Sequence, residues 1–458
     1  MKPRLLSPGP ASATCRTTGR WGFGFGRRFF LLLLLGALWS IPAFWNTKFL
    51  LVTAAWDILV VIAWLIDFQR LPKPGNLRLE RSWNGPPSLR NKVEVVLLLH
   101  NYGPSPIHCS LLDDVPLSIR EQPAQVELKV PAQSSATQSY WARPLQRGDI
   151  QVGGAYLRYH SGAGFAERWA TADLKQTIRV FPDLEEAKRQ NIFLNRARQI
   201  ELEKRLVRQR GMGREFESLR EFRQGDEFRN ICWTATARRG KVVTRLFQVE
   251  RSQAVWLVID AGRLLRARVG ELSKLDLAVN AGLSLAQIAL YSGDRVGLLV
   301  YGRKIQQRVG LGRGLPHMRQ IMEGLAAAHE EVAEADHLLA ASFLLQLQKQ
   351  RSLIIWITDL ADTSMTPEVV ESASQILSKH LLLFTVIAQA DLLVQAGKYP
   401  EDADEMYNTV AAQEMVQRRE ALLTRIRNKG ALALEVNPGR LTTTLVNQYL
   451  QIKERSLI

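Results

Sequence analysis

The run AVWLVID at residues 254–260 decides how the C-terminal part of the chain folds. It is apolar at nearly every position and partly β-branched, which is typical of a strand buried on both faces of a sheet. Two similar runs follow, RVGLLVY at residues 295–301 and LIIWITD at residues 353–359, and helical windows lie between them. Further buried strands are expected at residues 381–388 and 431–436. Strands that alternate with helices predict a doubly wound, mainly parallel α/β sheet.

Two acidic residues stand at the ends of these strands. Asp260 ends the first run and Asp359 ends the third. In doubly wound sheets, ligands bind at the carboxyl ends of the strands, so this edge is where a site is first expected. Two carboxylates there are candidates for a metal site, for an acid–base pair, or for structural strand-end hydrogen bonds.

Residues 77–182 show the alternation of apolar and polar residues that is typical of strands. The runs LRLERSW, KVEVVLLLHN, AQVELKV and TIRVF are separated by clusters of Gly, Pro, Ser and Asp. Short strands at this spacing predict an all-β, immunoglobulin-like sandwich. Asp113 and Asp114 are interpreted as a solvated turn rather than as calcium ligands, because no further acids follow them at regular spacing.

Two apolar runs near the N-terminus predict a membrane hairpin. Residues 29–45 and 49–66 are each close to the minimum length for crossing the hydrocarbon core, and a short turn separates them. Six basic residues and no acid lie in residues 1–28, and Arg70 and Lys73 follow the second run. The positive-inside rule then places both flanks, and the folded domains after them, in the cytoplasm.

A charged junction at residues 183–252 joins the β-rich middle to the α/β domain. Its first part lacks Gly and Pro and predicts a basic helix with an apolar stripe. Its second part, residues 213–251, interleaves arginines with carboxylates, a composition that favours bidentate charge-assisted bonds. The side chains singled out there are Arg220, Glu221, Asp226, Arg229, Trp233 and Arg238. We expect them either to clasp the two neighbouring domains together or to form a docking face for a partner.

Motifs in this second part resemble those of a known family. In order and spacing they are similar to the signature of the domain-of-unknown-function-58 family, through Glu215-Phe216, Leu219-Arg220-Glu221-Phe222, Gly225-Asp226, Arg229-Asn230-Ile231, Trp233 and Thr236-Ala237-Arg238. Cys232 stands where the family usually has Asp. The resemblance covers about residues 77–450. It implies a bacterial, membrane-anchored chain with a von Willebrand factor A-like C-terminal domain.

That fold is best known for a metal-ion-dependent adhesion site. The site uses an Asp-x-Ser-x-Ser run, a Thr and a second Asp, since Mg²⁺ takes about six oxygen ligands. The positions corresponding to the three hydroxyls hold Gly262, Leu264 and Leu315. What remains is Asp260 and Asp359, with Arg263 and Arg313 beside them to neutralise the carboxylates directly. We expect no resident cofactor, and a Mg²⁺-dependent adhesion protein is the first alternative.

The resemblance also implies a partner. Members of the family are commonly encoded with MoxR-type AAA+ ATPases and are thought to act with them as adaptors or substrates, in assembly, maturation, or envelope and stress functions. We therefore expect a non-catalytic interaction protein of the inner membrane, whose partners are such an ATPase and the lipid bilayer.

Catalytic motifs are not recognisable in the sequence. It contains no Walker loop, no G-x-S-x-G and no H-E-x-x-H, and its seven histidines are scattered. The three cysteines form no disulfide framework and no zinc pattern, and such sparse thiols suit a reducing compartment. We expect no enzyme activity.

The net charge of +16 makes a nucleic-acid or anionic-lipid binder the second alternative. Residues 1–28 contribute six of these charges beside the apolar hairpin, where membrane topology explains them. Residues 186–251 hold 17 Lys or Arg against 9 Asp or Glu. Mixed signs favour ion-pair networks or an acidic partner, and we expect no nucleic-acid partner.

These observations predict five segments. They are a basic cytoplasmic tail (1–28), two transmembrane helices (29–68), a β-sandwich (77–182), a helix with the signature junction (183–252) and a von Willebrand factor A-like α/β domain (253–458).

Overall fold

The computed structural model describes residues 7–19, 22–42, 45–120, 124–183, 185, 215–223, 228, 231–248, 252–360 and 366–455. The chain divides into two compact units, Met1–Asp183 and Leu184–Ile458. The basic helix expected in the junction lies almost entirely outside the described residues, and so do Asp226 and Arg229 of the signature.

Antiparallel strands form most of the first unit. Their bounds are β1 Ala11–Thr14, β2 Arg16–Thr17, β3 Phe23–Phe25, β4 Leu77–Trp83, β5 Val93–Asn101, β6 Ile107–Asp113, β7 Gln125–Val130, β8 Ser134–Ala142, β9 Gly148–Val152, β10 Ala155–His160, β11 Ala166–Ala172 and β12 Gln176–Val180. One sheet has the order β1-β4-β5-β8, and the other has the order β2-β11-β10-β6-β7 with β3 also beside β11. β9 and β12 form a separate antiparallel pair.

Alternation in the sequence gives each sheet one buried face. In β5, buried side chains at Val93, Val95, Leu97 and Leu99 alternate with half-buried ones, as the two-residue period of a strand requires. Leucines of β4 and β5 share one hydrophobic core with apolar side chains of β6, β7, β10 and β11. The two sheets therefore pack face to face, and the β-rich middle predicted from the sequence is confirmed.

Three of these strands come from the segment that the sequence predicts to be a basic tail. β1 pairs with β4, while β2 and β3 pair with β11. Runs as short as ASAT, RT and FGF are too brief for alternation to mark them as strands. Residues 11–17 and 23–25 therefore belong to the β unit, and the expectation of a separate tail does not hold for them.

Two helices lie between β3 and β4, α1 Arg27–Ala37 and α2 Lys48–Arg70. Within the described part of the chain, α2 is the one helix that is long and apolar enough to cross a membrane. α1 has only 11 residues and continues into a 3₁₀ turn at Leu38–Ser40. The first predicted span is therefore a shorter helix than expected, and a second membrane crossing is not confirmed.

The two helices pack against each other. Trp56 Nε1 donates a hydrogen bond of 2.9 Å to the carbonyl oxygen of Leu32. A Cβ atom at Gly36 would lie 2.4 Å from the Trp56 ring. Only glycine permits this approach, which is the small-residue contact that is common between membrane helices.

Asp67, near the end of α2, attaches that helix to the β unit. Its carboxylate accepts hydrogen bonds from Ser161 Oγ at 2.5 Å and from the backbone N–H groups of Phe165 and Ala166, each at 2.9 Å. From the start of α1, Arg28 donates to two carbonyl oxygens of the same β10–β11 turn. Hydrogen bonds of Asp67 and Arg28 therefore fix both helices to the β10–β11 turn of the β unit.

The second unit alternates strands and helices. Its elements are β13 Glu215–Glu221, α3 Trp233–Arg239, β14 Val243–Gln248, β15 Ala254–Asp260, β16 Arg268–Val269, β17 Leu272–Ser273, α4 Lys274–Tyr291, β18 Arg295–Tyr301, β19 Ile305–Gly312, α5 Gly314–Ala327, α6 His337–Leu347, β20 Leu353–Thr358, α7 Thr366–Leu377, β21 Leu381–Ile387, α8 Ala390–Ala396, α9 Ala403–Asn428, β22 Leu432–Val436 and α10 Leu441–Glu454.

Six strands form its main sheet, in the order β19-β18-β15-β20-β21-β22. β18, β15, β20, β21 and β22 are parallel, and β19 is an antiparallel edge strand. All seven residues of β15 are buried. Trp256 and Val258 lie in a core shared with α6, α7 and α9, while Ile259 faces Gly282 of α4. Helices therefore cover both faces of the sheet, as the α/β prediction requires.

Candidate functional site

The two strand-end aspartates lie at the same edge of the sheet, as the sequence predicts. β15 and β20 are adjacent parallel strands, with Ile259 opposite Ile357. Asp260 ends β15 and Asp359 directly follows β20, so both carboxylates emerge at the carboxyl edge. Both are buried. Buried carboxylates require partners, and those partners decide what the edge can bind.

Asp260 is held by hydrogen bonds from its own loop and from the neighbouring strand. The backbone N–H of Gly262 donates to Oδ1 at 2.7 Å, and Thr358 Oγ1 donates to Oδ2 at 2.6 Å. Burial raises the pKa of the Asp260 carboxyl, and these hydrogen bonds oppose that shift only in part. The group is thus a structural tie between β15 and β20.

Asp359 is paired with two side-chain cations. Lys274 Nζ lies 2.5 Å from Oδ2 and Arg419 Nη2 lies 2.7 Å from Oδ1. The backbone N–H of Leu360 also donates to Oδ1, at 2.7 Å. Arg419 reaches Glu435 with its other terminal nitrogen, Nη1 to Oε1 at 2.9 Å. We call Lys274, Asp359, Arg419 and Glu435 the Asp359 cluster.

The expected neutralisation by Arg263 and Arg313 is wrong. Arg263 pairs instead with Glu334 at 2.8 Å, and Arg313 donates to Ser252. Lys274 begins α4, where an apolar helix face buries its stem, and Arg419 is the one buried arginine within the charged α9. No local pattern distinguishes Arg419 from its neighbours Arg418 and Glu420, so sequence reasoning missed it.

A divalent cation does not fit this edge. Mg²⁺ needs about six oxygens with free lone pairs, and both oxygens of Asp359 already face cations. Gly262 and Leu264 supply no side-chain oxygen at the serine positions. Across the described residues, no group of three His, Cys, Asp or Glu side chains is placed to hold a metal ion. Lys274 and Arg419 already neutralise the Asp359 carboxylate.

The described part of the signature forms a hairpin with a short helix between its strands. β13 pairs with β14 in antiparallel register, with Glu221 opposite Val243. α3 is tied to β14 because the Cys232 N–H donates to the Val243 carbonyl at 2.8 Å and the Val243 N–H donates to Thr236 Oγ1 at 3.0 Å. Gly240, at φ +66°, ends α3 in the left-handed conformation that favours glycine.

Aromatic and basic side chains of this hairpin face outward. Trp233 is 68% exposed and Phe228 is 78% exposed, and the Phe228 ring stacks on Phe222 at a centroid distance of 5.6 Å. Arg238, Arg239 and Lys241 are also exposed. We call Phe228, Trp233, Arg238, Arg239 and Lys241 the signature surface; its three members on α3 point to different sides of this short helix, because Arg238 and Arg239 lie five and six residues after Trp233.

The remaining described residues singled out in the signature are Arg220 and Glu221, and both are at least partly exposed. Arg220 is half-buried, and Glu221 is exposed and forms a salt bridge of 3.1 Å with exposed Lys241. An exposed pair of this kind contributes about 0–1 kcal/mol. Asp226 and Arg229, predicted for the same role, lie outside the described residues.

Cys232 directly precedes α3 and is buried at the position where the resembled family usually has Asp. Its Sγ lies 3.4 Å from Thr234 Oγ1. Hydrogen bonds from Thr234 and Arg245 lower the pKa of the thiol to about 7. Nucleophilic chemistry also needs a base, and no described histidine lies within the hairpin.

Comparison with known proteins supports the family resemblance. Residues 218–430 match the family model described as "Protein of unknown function DUF58". Among solved structures, the chain is similar to the crystal structure of conserved hypothetical protein BatB from Bacteroides thetaiotaomicron, with 12% identity, a TM-score of 0.30, and coverage of 44% of this chain and 100% of that chain. The comparison with curated proteins gave no match.

Proposed function

We propose that this chain is a membrane-anchored, non-catalytic interaction protein that docks a macromolecular partner through its signature surface. The observation that carries the proposal is the pair of exposed aromatic side chains, Phe228 and Trp233, set among exposed basic ones on a hydrogen-bonded hairpin. Trp and Arg are the residue types that most often dominate interface energetics. Exposed apolar patches rimmed by polar side chains are typical of interaction sites.

The anchor is proposed to be a hairpin of two membrane helices. α2 is long and apolar enough to cross, and α1 packs against it through Gly36 and Trp56. Arg27, Arg28 and Arg70 lie at the ends of these helices next to the β unit. Basic residues at that end support a cytoplasmic position for the β unit and for the domains that follow it.

The fold is proposed to combine an immunoglobulin-like β unit with a von Willebrand factor A-like α/β unit. In sequence order, the strands of the main sheet lie 3-2-1-4-5-6 with an antiparallel third strand, which supports that assignment. The Asp359 cluster supports metal-independent binding. It disfavours the alternative of a Mg²⁺-dependent adhesion protein.

A MoxR-type AAA+ ATPase is the proposed partner. It rests on the family resemblance, to which the match over residues 218–430 adds support. The chemistry of the signature surface requires the docking site on the partner to be acidic with an apolar pocket, since four of the five side chains are either aromatic or arginine. An anionic lipid or nucleic acid would share the acidic character but lose affinity steeply with salt.

Replacing Trp233 with alanine is expected to weaken partner binding by about 30-fold, corresponding to about 2 kcal/mol for an aromatic anchor. The readout is retention of an ATP-trapped MoxR-type ATPase by the detergent-solubilised chain. The thermal stability of the chain should not change, because the side chain is exposed. The matched control is Tyr156→Ala, an exposed aromatic on β10, which should bind as the unaltered chain does. Equal retention by Trp233→Ala and Tyr156→Ala would rule out docking through this surface.

A further inference from the structure

A second exposed apolar surface lies on α8, on the loop that follows it and on the first half of α9. It consists of Val394, Tyr399, Met406, Tyr407 and Val410. Tyr399 is 94% exposed and Tyr407 is 77% exposed. We call residues 390–414 the acidic hairpin, for the charges described below.

The exposure of the apolar side chains on α9 follows from how that helix packs. Thr409, Ala412 and Leu423 face inward and are buried. Met406 and Tyr407 lie four and three residues before Val410, and all three side chains are exposed, so they form one outward stripe. Asp402 caps the helix by accepting from the Glu405 N–H. The stripe is therefore held on a regular, capped helix rather than on a loose loop.

α8 is fixed beside this stripe. Gln413 Nε2 donates to the carbonyl oxygen of Ala396 at 3.0 Å, and Lys398 pairs with Glu405. Val394 on α8 is exposed as well. Large apolar side chains grouped this way on a regular element are typical of a surface that a partner covers.

The border of this surface is acidic. Residues 390–414 contain six acids and one base. The acids are Asp391, Glu401, Asp402, Asp404, Glu405 and Glu414, and the base is Lys398. An anionic bilayer or nucleic acid is therefore a poor occupant, and so is the same surface of another copy, because like charges would face each other.

The same chain carries the complementary surface. Residues 231–248 contain Arg238, Arg239, Lys241 and Arg245 and no acid, while Lys241 pairs with exposed Glu221 of β13. Trp233 is exposed on the same short helix as Arg238 and Arg239. A basic surface with an aromatic anchor matches an apolar stripe with an acidic border both in charge and in polarity.

We propose that the acidic hairpin binds the signature surface of a second copy of this chain. The contact is head-to-tail, because two different surfaces meet, so each copy keeps one unused surface for the next copy. Anchoring in a membrane raises the effective concentration of the copies for one another. The inference rests on the proposed function in one respect, since a second copy and the ATPase compete for the same signature surface.

The test is self-association of the full-length chain in detergent, measured by analytical ultracentrifugation across concentration and salt. Two charge-reversed variants are compared, Glu401→Lys with Asp404→Lys, and Arg238→Glu with Arg239→Glu. Tyr407→Ser tests the apolar stripe, and Val332→Ser, an exposed position outside both surfaces, is its control. These side chains are exposed, and an unchanged melting temperature verifies that the variants fold.

We expect the unaltered chain to associate beyond a dimer at low salt. Each reversed variant and Tyr407→Ser should associate at least about tenfold more weakly, and mixing the two reversed variants should restore association. Val332→Ser should behave as the unaltered chain does. A chain that stays monomeric at all concentrations overturns the inference, and so does association that ignores charge reversal. Retention of the ATPase is measured separately. Loss of that retention would contradict the proposed function but would not decide whether the chain associates with itself.

Discussion

Asp359→Ala is expected to destabilise the second unit by about 3–5 kcal/mol, because it leaves the buried Lys274 without its counter-charge and the buried Arg419 with Glu435 alone. Lys274 and Arg419 each lie within 2.7 Å of a different oxygen of this carboxylate. Both cations are as buried as Asp359 itself. Solvent cannot take over the role of Asp359 without opening the sheet edge.

The measurement for Asp359→Ala is thermal unfolding of the detergent-solubilised chain, with hydrogen exchange in β15 and β20 to locate the change. Glu323→Ala is the matched control, since it removes an exposed partner of Arg319 at 3.0 Å and should cost less than about 1 kcal/mol. If both variants melt alike, the Asp359 cluster is not the buried network described above.

Arg81→Ala is expected to have an effect of similar size on the first unit, about 3–5 kcal/mol. Arg81 and Asp113 are fully buried and paired, with Nε to Oδ2 at 2.9 Å. Arg81 also donates to the carbonyl oxygens of Leu174 and Gly153, each at 3.0 Å. Tyr140 donates its hydroxyl to Asp113 at 2.7 Å. Removing the guanidinium takes the ion-pair partner from Asp113, to which, among the described side chains, only the Tyr140 hydroxyl still donates, and takes a donor from two carbonyl oxygens.

Arg81→Lys should fail to rescue stability, because a single ammonium cannot reproduce the forked contacts of a guanidinium. Arg179→Ala is the control within the same unit, as its bidentate pair with Asp149 is exposed. Urea unfolding followed by hydrogen exchange in β4 and β6 checks both variants. Loss of protection after Arg179→Ala equal to that after Arg81→Ala would contradict the account.

The parts of the fold that the sequence predicts are those with strong local patterns. β15 is apolar throughout and β5 alternates, and each pattern has one simple physical origin in burial. The stretch at residues 11–25 has no such pattern, so its pairing with β4 and β11 could not be foreseen. α8 is a short, exposed helix, and its sequence has no strong pattern that would predict it.

The site was predicted in part. The alternation of strands with helices predicts a parallel sheet, and this alone places Asp260 and Asp359 at one edge of it. The partners of Asp359 come from positions 85 and 60 residues away in the chain, a distance over which no sequence pattern operates. Asp113 shows the same limit, since the prediction of a solvated turn was wrong and its partner Arg81 lies on another strand. Pairing of buried charges is decided by tertiary packing.

Photo-crosslinking from position 233 tests the central claim most directly. A photoactivatable residue replaces Trp233 in the full-length chain, and a second chain carries it at position 156 as a control. With the ATPase trapped in its ATP-bound state and in excess, we predict crosslinks to the ATPase from position 233 and none from position 156. Crosslinks from position 233 that reach only lipid, or only another copy of this chain, would contradict docking of the ATPase through the signature surface.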